Sequence, residues 1–315
     1  MTDESGALAT PAPGNGVGWY VYGVVPWSVE VPVTAGIEEG RPMAFILEGP
    51  IMAVASPVSL AVFDSEPLRR NMEDPRWLAE KVCQHEAVVE AMADRHPVLP
   101  MKFCTIFRSP NAVRRMLREH ALRFQEALEF VRDKEEWGVK GFAHRGCLRE
   151  AALRRDPELR EMAEQLAVSA RNRPGSAFFL KRRMDDLAEQ RRMEREAELV
   201  REAVEALRPS VVQLAINSPL RVRGNGTDPS ASTAGLSACL PAGAAPAGGN
   251  AQAGGDPGEE IVLNLACLVL RQEVQTFLAE VRRWNEAGAD QGLRLVASGP
   301  WPPYNFSPRL GNHAR

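Results

Sequence analysis

Two dipeptides, Asp74-Pro75 and Ser109-Pro110, constrain the fold of this chain more than any other feature. In each, a residue that caps helix N-termini precedes a proline. Proline is tolerated in a first helical turn because the N–H it lacks has no intrahelical partner there. Each pair therefore marks a helix start, and each follows strand-like sequence. Upstream of the first lie "WYVYGVV" (Trp19 to Val25), then "PMAFILE" and "IMAVASPV", which read as a hairpin around Gly49-Pro50. The first helix carries Trp77, Leu78, Val82, Ala87, Val88 and Met92 at helical spacing. "PVLPMKFCTIF" returns to strand character, the second capped helix follows, and "WGVKGFAH" alternates Trp137, Val139 and Phe142 as a last strand. The order β-ββ-α-β-α-β predicts an α+β fold with both helices on one face of an antiparallel sheet: a modified ferredoxin-like domain over residues 18–146, after a disordered tail over 1–17.

From Cys147 to Leu207 the chain is helical and densely charged, with a start or kink at Asp156-Pro157. Leu180, Met184 and Leu187, then Met193, Ala197, Val200, Val204 and Leu207, step by three and four, with a seam shift at "EQRR". This predicts a coiled-coil helical hairpin. "SVVQLAIN" reads as a strand. Residues 224–258 are rich in Gly, Ala, Pro and Ser and read as a disordered insertion. "EIVLNLACLVL", "RQEVQTFLAEVRRWNEAG" and "LRLVAS" then form a β-α-β unit. The second domain, residues 147–309, is thus a helical hairpin joined to a small α+β sheet.

The formal net charge of -3 demands neither nucleic acid nor an anionic membrane as partner. The acidic N-terminus lacks the basic and apolar regions of a signal peptide, and no apolar run approaches the ~20 residues of a membrane span. Five widely spaced cysteines without C-x-x-C suit a reducing cytoplasm.

Little in the sequence points to chemistry. In "CQHE", Cys83 and His85 are two residues apart and share no helix face, so a half-exposed surface is expected rather than a metal site. "GNGVG" precedes a strand and cannot set a phosphate on a helix N-terminus. "KRRMDD" (Lys181 to Asp186) could be a nucleic-acid patch, but the acids within one turn favour i,i+4 pairing. Phe103 and Phe107 in "MKFCTIF" carry only part of an RNA-binding strand signature. No catalytic residue, metal ligand or cofactor site is expected. The alternatives held open are a nucleic-acid or small-ligand binder on a ferredoxin-like sheet.

One motif remains: "GPWPPYNF", Gly299 to Phe306. Its prolines exclude helix and central strand, and its rings exclude a solvated tail. The expected role is to seal the C-terminal domain, with a preformed docking strip as the alternative.

Taken in order, these segments resemble the GvpL/GvpF family of gas vesicle proteins. The carriers are "WYVYGVV", "VLPMKFCTIF" (Val98 to Phe107), "EWGVK" (Glu136 to Lys140), "SAFFLKRRMDDLAEQ" and the closing "GPWPPYNF". Cys104 departs from the family's usual glycine, which marks a place of local rearrangement. The resemblance implies a non-enzymatic minor component of the gas vesicle, in the cytoplasm, that binds the wall protein GvpA and other gas vesicle accessory proteins. It implies no nucleic acid or lipid membrane as partner and no cofactor. Contact candidates are Trp301, Pro302, Pro303, Tyr304 and Phe306 in the octapeptide, and Phe178, Phe179 and Leu180 at the start of the coiled coil.

Overall fold

A run of apolar residues without alternation, such as "WYVYGVV", suits a strand covered on both faces, and that is how the computed structural model uses it. The structure describes residues 16–31, 35–172, 174–217, 258–288 and 291–308. Most of the 224–258 segment and of the 1–17 tail lie outside these. The chain divides into two units. Among the described residues, one runs to Arg132 and resumes at Pro302, and the other runs from Asp133 to Trp301.

In the first unit β1 (Val17–Pro26), β2 (Ala44–Glu48) and β3 (Ile51–Ser59) precede the short helices α1 (Leu60–Phe63) and α2 (Ser65–Asn71). Then come α3 (Pro75–Ala93), β4 (Leu99–Pro100), β5 (Ile106–Phe107), α4 (Pro110–Glu119) and α5 (Ala121–Val131). The sheet is antiparallel in the order β2-β3-β1-β4, with β5 also paired to β1. Gly49, at φ +57°, makes the turn between β2 and β3. Both capping dipeptides work as read: the Asp74 side chain accepts from the Arg76 N–H, and Ser109 from the Ala112 N–H.

The layering differs from the ferredoxin-like expectation of two helices on one face. On one face of the sheet Trp19, Val21, Ile46, Ala53 and Leu99 pack with Val113, Met116 and Leu117 of α4 and Phe124 and Leu128 of α5. On the other, Tyr20, Tyr22, Met52 and Val54 pack with Phe63 of α1 and Val88, Val89 and Met92 of α3. Every residue of β1 from Gly18 to Val25 is at least half-buried, so both faces need a cover.

In the second unit β6 (Lys134–His144) leads into α6 (Arg145–Arg155), α7 (Pro157–Asn172) and α8 (Pro174–Leu207). After these come β7 (Gln213–Ile216), β8 (Glu259–Leu270), α9 (Val274–Ala287) and β9 (Leu293–Trp301). The sheet order is β7-β8-β6-β9, all antiparallel. The "WGVKGFAH" strand, expected to close the first domain, therefore sits inside the second sheet. Its Trp137 and Val139 pack with Leu265, Cys267, Phe277 of α9 and Leu199 and Leu207 of α8. Sequence order does not reveal which sheet a strand joins, because antiparallel partners can lie far along the chain.

The helical segment corrects the expected seam. Among the described residues of α8 the buried positions are Ala177, Ala188, Arg192, Leu199, Ala203, Val204 and Leu207, while Met193 is 57% exposed and Ala197 is exposed. The stripe keeps Val204 and Leu207 of the apolar pattern, but Arg192 takes the buried place expected of Met193, and Leu199 is buried more deeply than Val200. Arg192 is 4% exposed and lies between Glu189, at 2.8 Å, and Glu196. A buried guanidinium is tolerated only when paired in this way.

Candidate partner-contact segments

The two groups of contact candidates meet opposite fates. In the octapeptide, Gly299 has φ +145°, and a Cβ there would stand 3.1 Å from the Glu136 carbonyl oxygen and the Trp137 ring. Glycine is needed for that approach. The Gly299-Pro300 peptide is cis. Trp301 ends β9 opposite Glu136, half-buried, with its indole N–H donating to Ser298 Oγ at 3.3 Å. Pro302 and Pro303 are buried. Tyr304–Phe306 forms a single helical turn of the tight i→i+3 type, in which the Ser307 hydroxyl donates to the Pro303 carbonyl at 2.8 Å. Phe306 packs on the core under α4 and α5, and Tyr304 on the core under α3.

The Tyr304 hydroxyl donates to Glu86 Oε1 on α3 at 2.8 Å. Burial pushes the Glu86 carboxyl up to about 7, the tyrosine hydrogen bond pulls it partly back, and Glu90 adds to the rise. Burial and the Glu86 charge raise the Tyr304 phenol well above its ordinary value, so it stays a donor.

Next to Glu86 on α3 stands a residue misread in the sequence. His85 is fully buried, not half-exposed, and shares a stripe with Val88, Val89 and Met92. Its Nδ1 lies 2.9 Å from the Tyr20 hydroxyl, which also accepts the Cys104 N–H at 3.0 Å. Burial holds the imidazole down to about 4, so it is neutral near pH 7. Tyr22 adds a second polar link, accepting the Ile37 N–H at 2.6 Å and bonding the Ser56 hydroxyl at 2.8 Å. The signal for His85 was its spacing of three and four to Val88 and Met92, masked because histidine is polar.

Cys104 has φ +61°, the left-handed geometry that glycine favours. The backbone holds that conformation despite a side chain. Burial pushes its thiol up to about 12, so it stays protonated near pH 7 and is a poor nucleophile.

At α8 the picture reverses. Phe178 is 64% and Phe179 71% exposed, their rings 5.7 Å apart and edge to face at 78°. Leu180 is half-buried, and Ala177 is buried. Helix α7 ends at Asn172 and α8 begins at Pro174, so the two lie antiparallel. Arg191 pairs with Asp156 at 2.8 Å and Glu158 at 4.0 Å. This register sets Val168, 65% exposed, near the level of Phe179. The hairpin end therefore carries an apolar surface that the described residues leave uncovered.

The pairing expected within "KRRMDD" does not form. Asp185 pairs with Arg149 of α6, and among the described residues Lys181, Arg182 and Arg183 take part in no ion pair. No group of three or more His, Cys, Asp or Glu suited to a metal ion occurs among the described residues.

Comparison with known proteins agrees with this architecture. The family model described as "Gas vesicle synthesis protein GvpL/GvpF" matches residues 18–308. Gas vesicle protein L of Streptomyces sp. (strain CB03234) is 31% identical, over 91% of this chain and 92% of its own length. Gas vesicle protein L of Haloferax mediterranei is 26% identical, over 91% of this chain and 75% of its own. The crystal structure of GvpF from Anabaena sp. PCC7120 superposes with a TM-score of 0.64 at 15% identity, covering 93% of this chain and 99% of that one, which shows a shared fold. An α+β chain with two antiparallel sheets, matched along nearly its whole length, belongs to the GvpL/GvpF family of gas vesicle proteins, a structural and non-enzymatic family.

Proposed function

We propose that this chain is a minor structural and assembly protein of the gas vesicle that binds the wall protein GvpA, together with other accessory proteins, and assists vesicle nucleation or assembly. The observation that carries the reading is the exposed Phe178–Phe179 pair at the end of the α7–α8 hairpin. Two adjacent phenyl rings in water are costly unless a partner covers them, and aromatic residues anchor protein interfaces. The octapeptide residues Trp301 to Phe306 serve the fold in this reading. The vesicle, rather than a lipid bilayer, is the proposed location; no described helix is long and apolar enough to cross a membrane.

Flotation tests the reading, because gas vesicles rise and free protein does not. Vesicles stripped to the GvpA wall and mixed with the purified chain should carry it upward, and Phe178→Ser/Phe179→Ser should leave it below. Failure of the wild-type chain to float with the wall would refute GvpA binding.

A further inference from the structure

The hairpin end is charged as well as apolar, and the charge has one dominant sign. On α8, Arg182 stands one turn beyond Phe178, and Arg183 one turn beyond Phe179, so the four side chains share the outward face. Lys181 flanks them. All three cations are exposed and without an ion pair among the described residues. Asp186 is the acid on the same face, while Asp185 is taken by Arg149. Further along this helix Arg191 is neutralised by Asp156 and Glu194, Arg192 by Glu189 and Glu196, and Arg195 by Glu198 and Glu202, while Arg201 is exposed without an ion pair among the described residues. Three of the four α8 cations without an ion pair among the described residues thus stand beside the exposed rings.

We infer that the Phe178–Phe179–Lys181–Arg182–Arg183 surface is a docking site for an acidic amphipathic protein segment. Apolar side chains of that segment cover the two rings and Val168, and its carboxylates pair with the three cations. Charge complementarity selects this occupant. Arginine and aromatic residues side by side are the common composition of protein-binding hot spots. Single-stranded nucleic acid fits less well, since the rings meet edge to face and present no pair of parallel platforms for bases. Three cations would also neutralise few phosphates. An anionic membrane is served poorly by two rings and three charges on a helix end. The identification of this segment with GvpA rests on the reading above, but the chemistry of the surface does not.

Two synthetic helical peptides with the same leucine face, one flanked by Glu and one by Lys, probe the surface directly. The full chain should bind the Glu-flanked peptide at least tenfold more tightly. Arg182→Glu/Arg183→Glu should invert that preference, and Phe178→Ser/Phe179→Ser should abolish binding to both. Circular dichroism of each variant should match wild type, because all four side chains are exposed. Equal affinity for the two peptides would overturn the inference. So would tighter binding to oligo-dT or to phosphatidylglycerol vesicles than to the Glu-flanked peptide. Should the peptide results hold while the chain fails to float with stripped vesicles, GvpA is the wrong partner and the surface stands.

Discussion

The segments Trp301–Phe306 and Phe178–Phe179 are both aromatic, and the protein uses them in opposite ways. The first is extended, proline-stiffened and turned inward: Pro302 and Pro303 are buried, Phe306 covers one core, and the Tyr304 hydroxyl is bonded to Glu86. The second lies on the outward face of a long helix and leaves both rings in solvent. Aromatic content alone does not identify a contact surface. What separates the two is backbone context. A strand end followed by prolines sends its rings back over the sheets, whereas a helix whose buried stripe is already filled has only solvent to offer its opposite face.

If that division is right, the largest loss of stability comes from the inward segment. Trp301→Ala should cost ~2 kcal/mol, below the full-burial range because the ring is half-buried. It should lower the unfolding midpoint while sparing peptide and vesicle binding. Unchanged stability in this variant would return the octapeptide to the list of contact sites.

The Tyr304–Glu86 pair gives a pH signature. A carboxyl raised to about 7 in the folded state prefers to be protonated there, so its contribution to stability is full below about 4.5 and is lost as pH rises through 7. Stability should fall by ~1–3 kcal/mol between pH 5 and pH 8 from this group. Glu86→Gln should flatten that slope in chemical denaturation. Tyr304→Phe removes the donor that favours the ionised form, so it should cost more at pH 8 than at pH 5. Equal cost at both pH values would show that the hydroxyl does not serve the carboxylate.

Much of this arrangement is legible in the residues. The capped helices α3 and α4, the β2–β3 hairpin and the β8-α9-β9 unit follow from caps, glycine turns and periodicity. Two features are not legible. The partner of β6 depends on a strand more than a hundred residues away, and no local pattern records it. The packing stripe of α8 is hidden because Arg192 holds a core position, and only the structure shows Glu189 and Glu196 beside it. "WYVYGVV" did carry its message: seven residues without a polar alternate require cover on both faces, which rules out two helices on one side. At the contact site, the rings of Phe178 and Phe179 were visible as candidates, but the free cations beside them were concealed by the plausible i,i+4 pairing of "KRRMDD".

A smaller effect is expected at Cys104. Relief of the left-handed backbone is worth ~1 kcal/mol and is partly offset by the added freedom of glycine in the unfolded chain. Cys104→Gly should therefore leave stability equal or raise it slightly. Cys104→Val should destabilise, because a β-branched residue tolerates φ +61° worst. Similar melting curves for both would mean that the backbone there relaxes freely.

The central claim is a division of labour, and one paired measurement tests it: thermal unfolding and flotation with stripped vesicles, run on Trp301→Ala and on Phe178→Ser/Phe179→Ser. The account predicts a crossed result. Trp301→Ala melts several degrees lower and still floats with the vesicles, while the double serine variant melts within about 0.5 kcal/mol of wild type and stays behind. The opposite crossing, with Trp301→Ala stable but unbound and the serine variant unstable but bound, would contradict it.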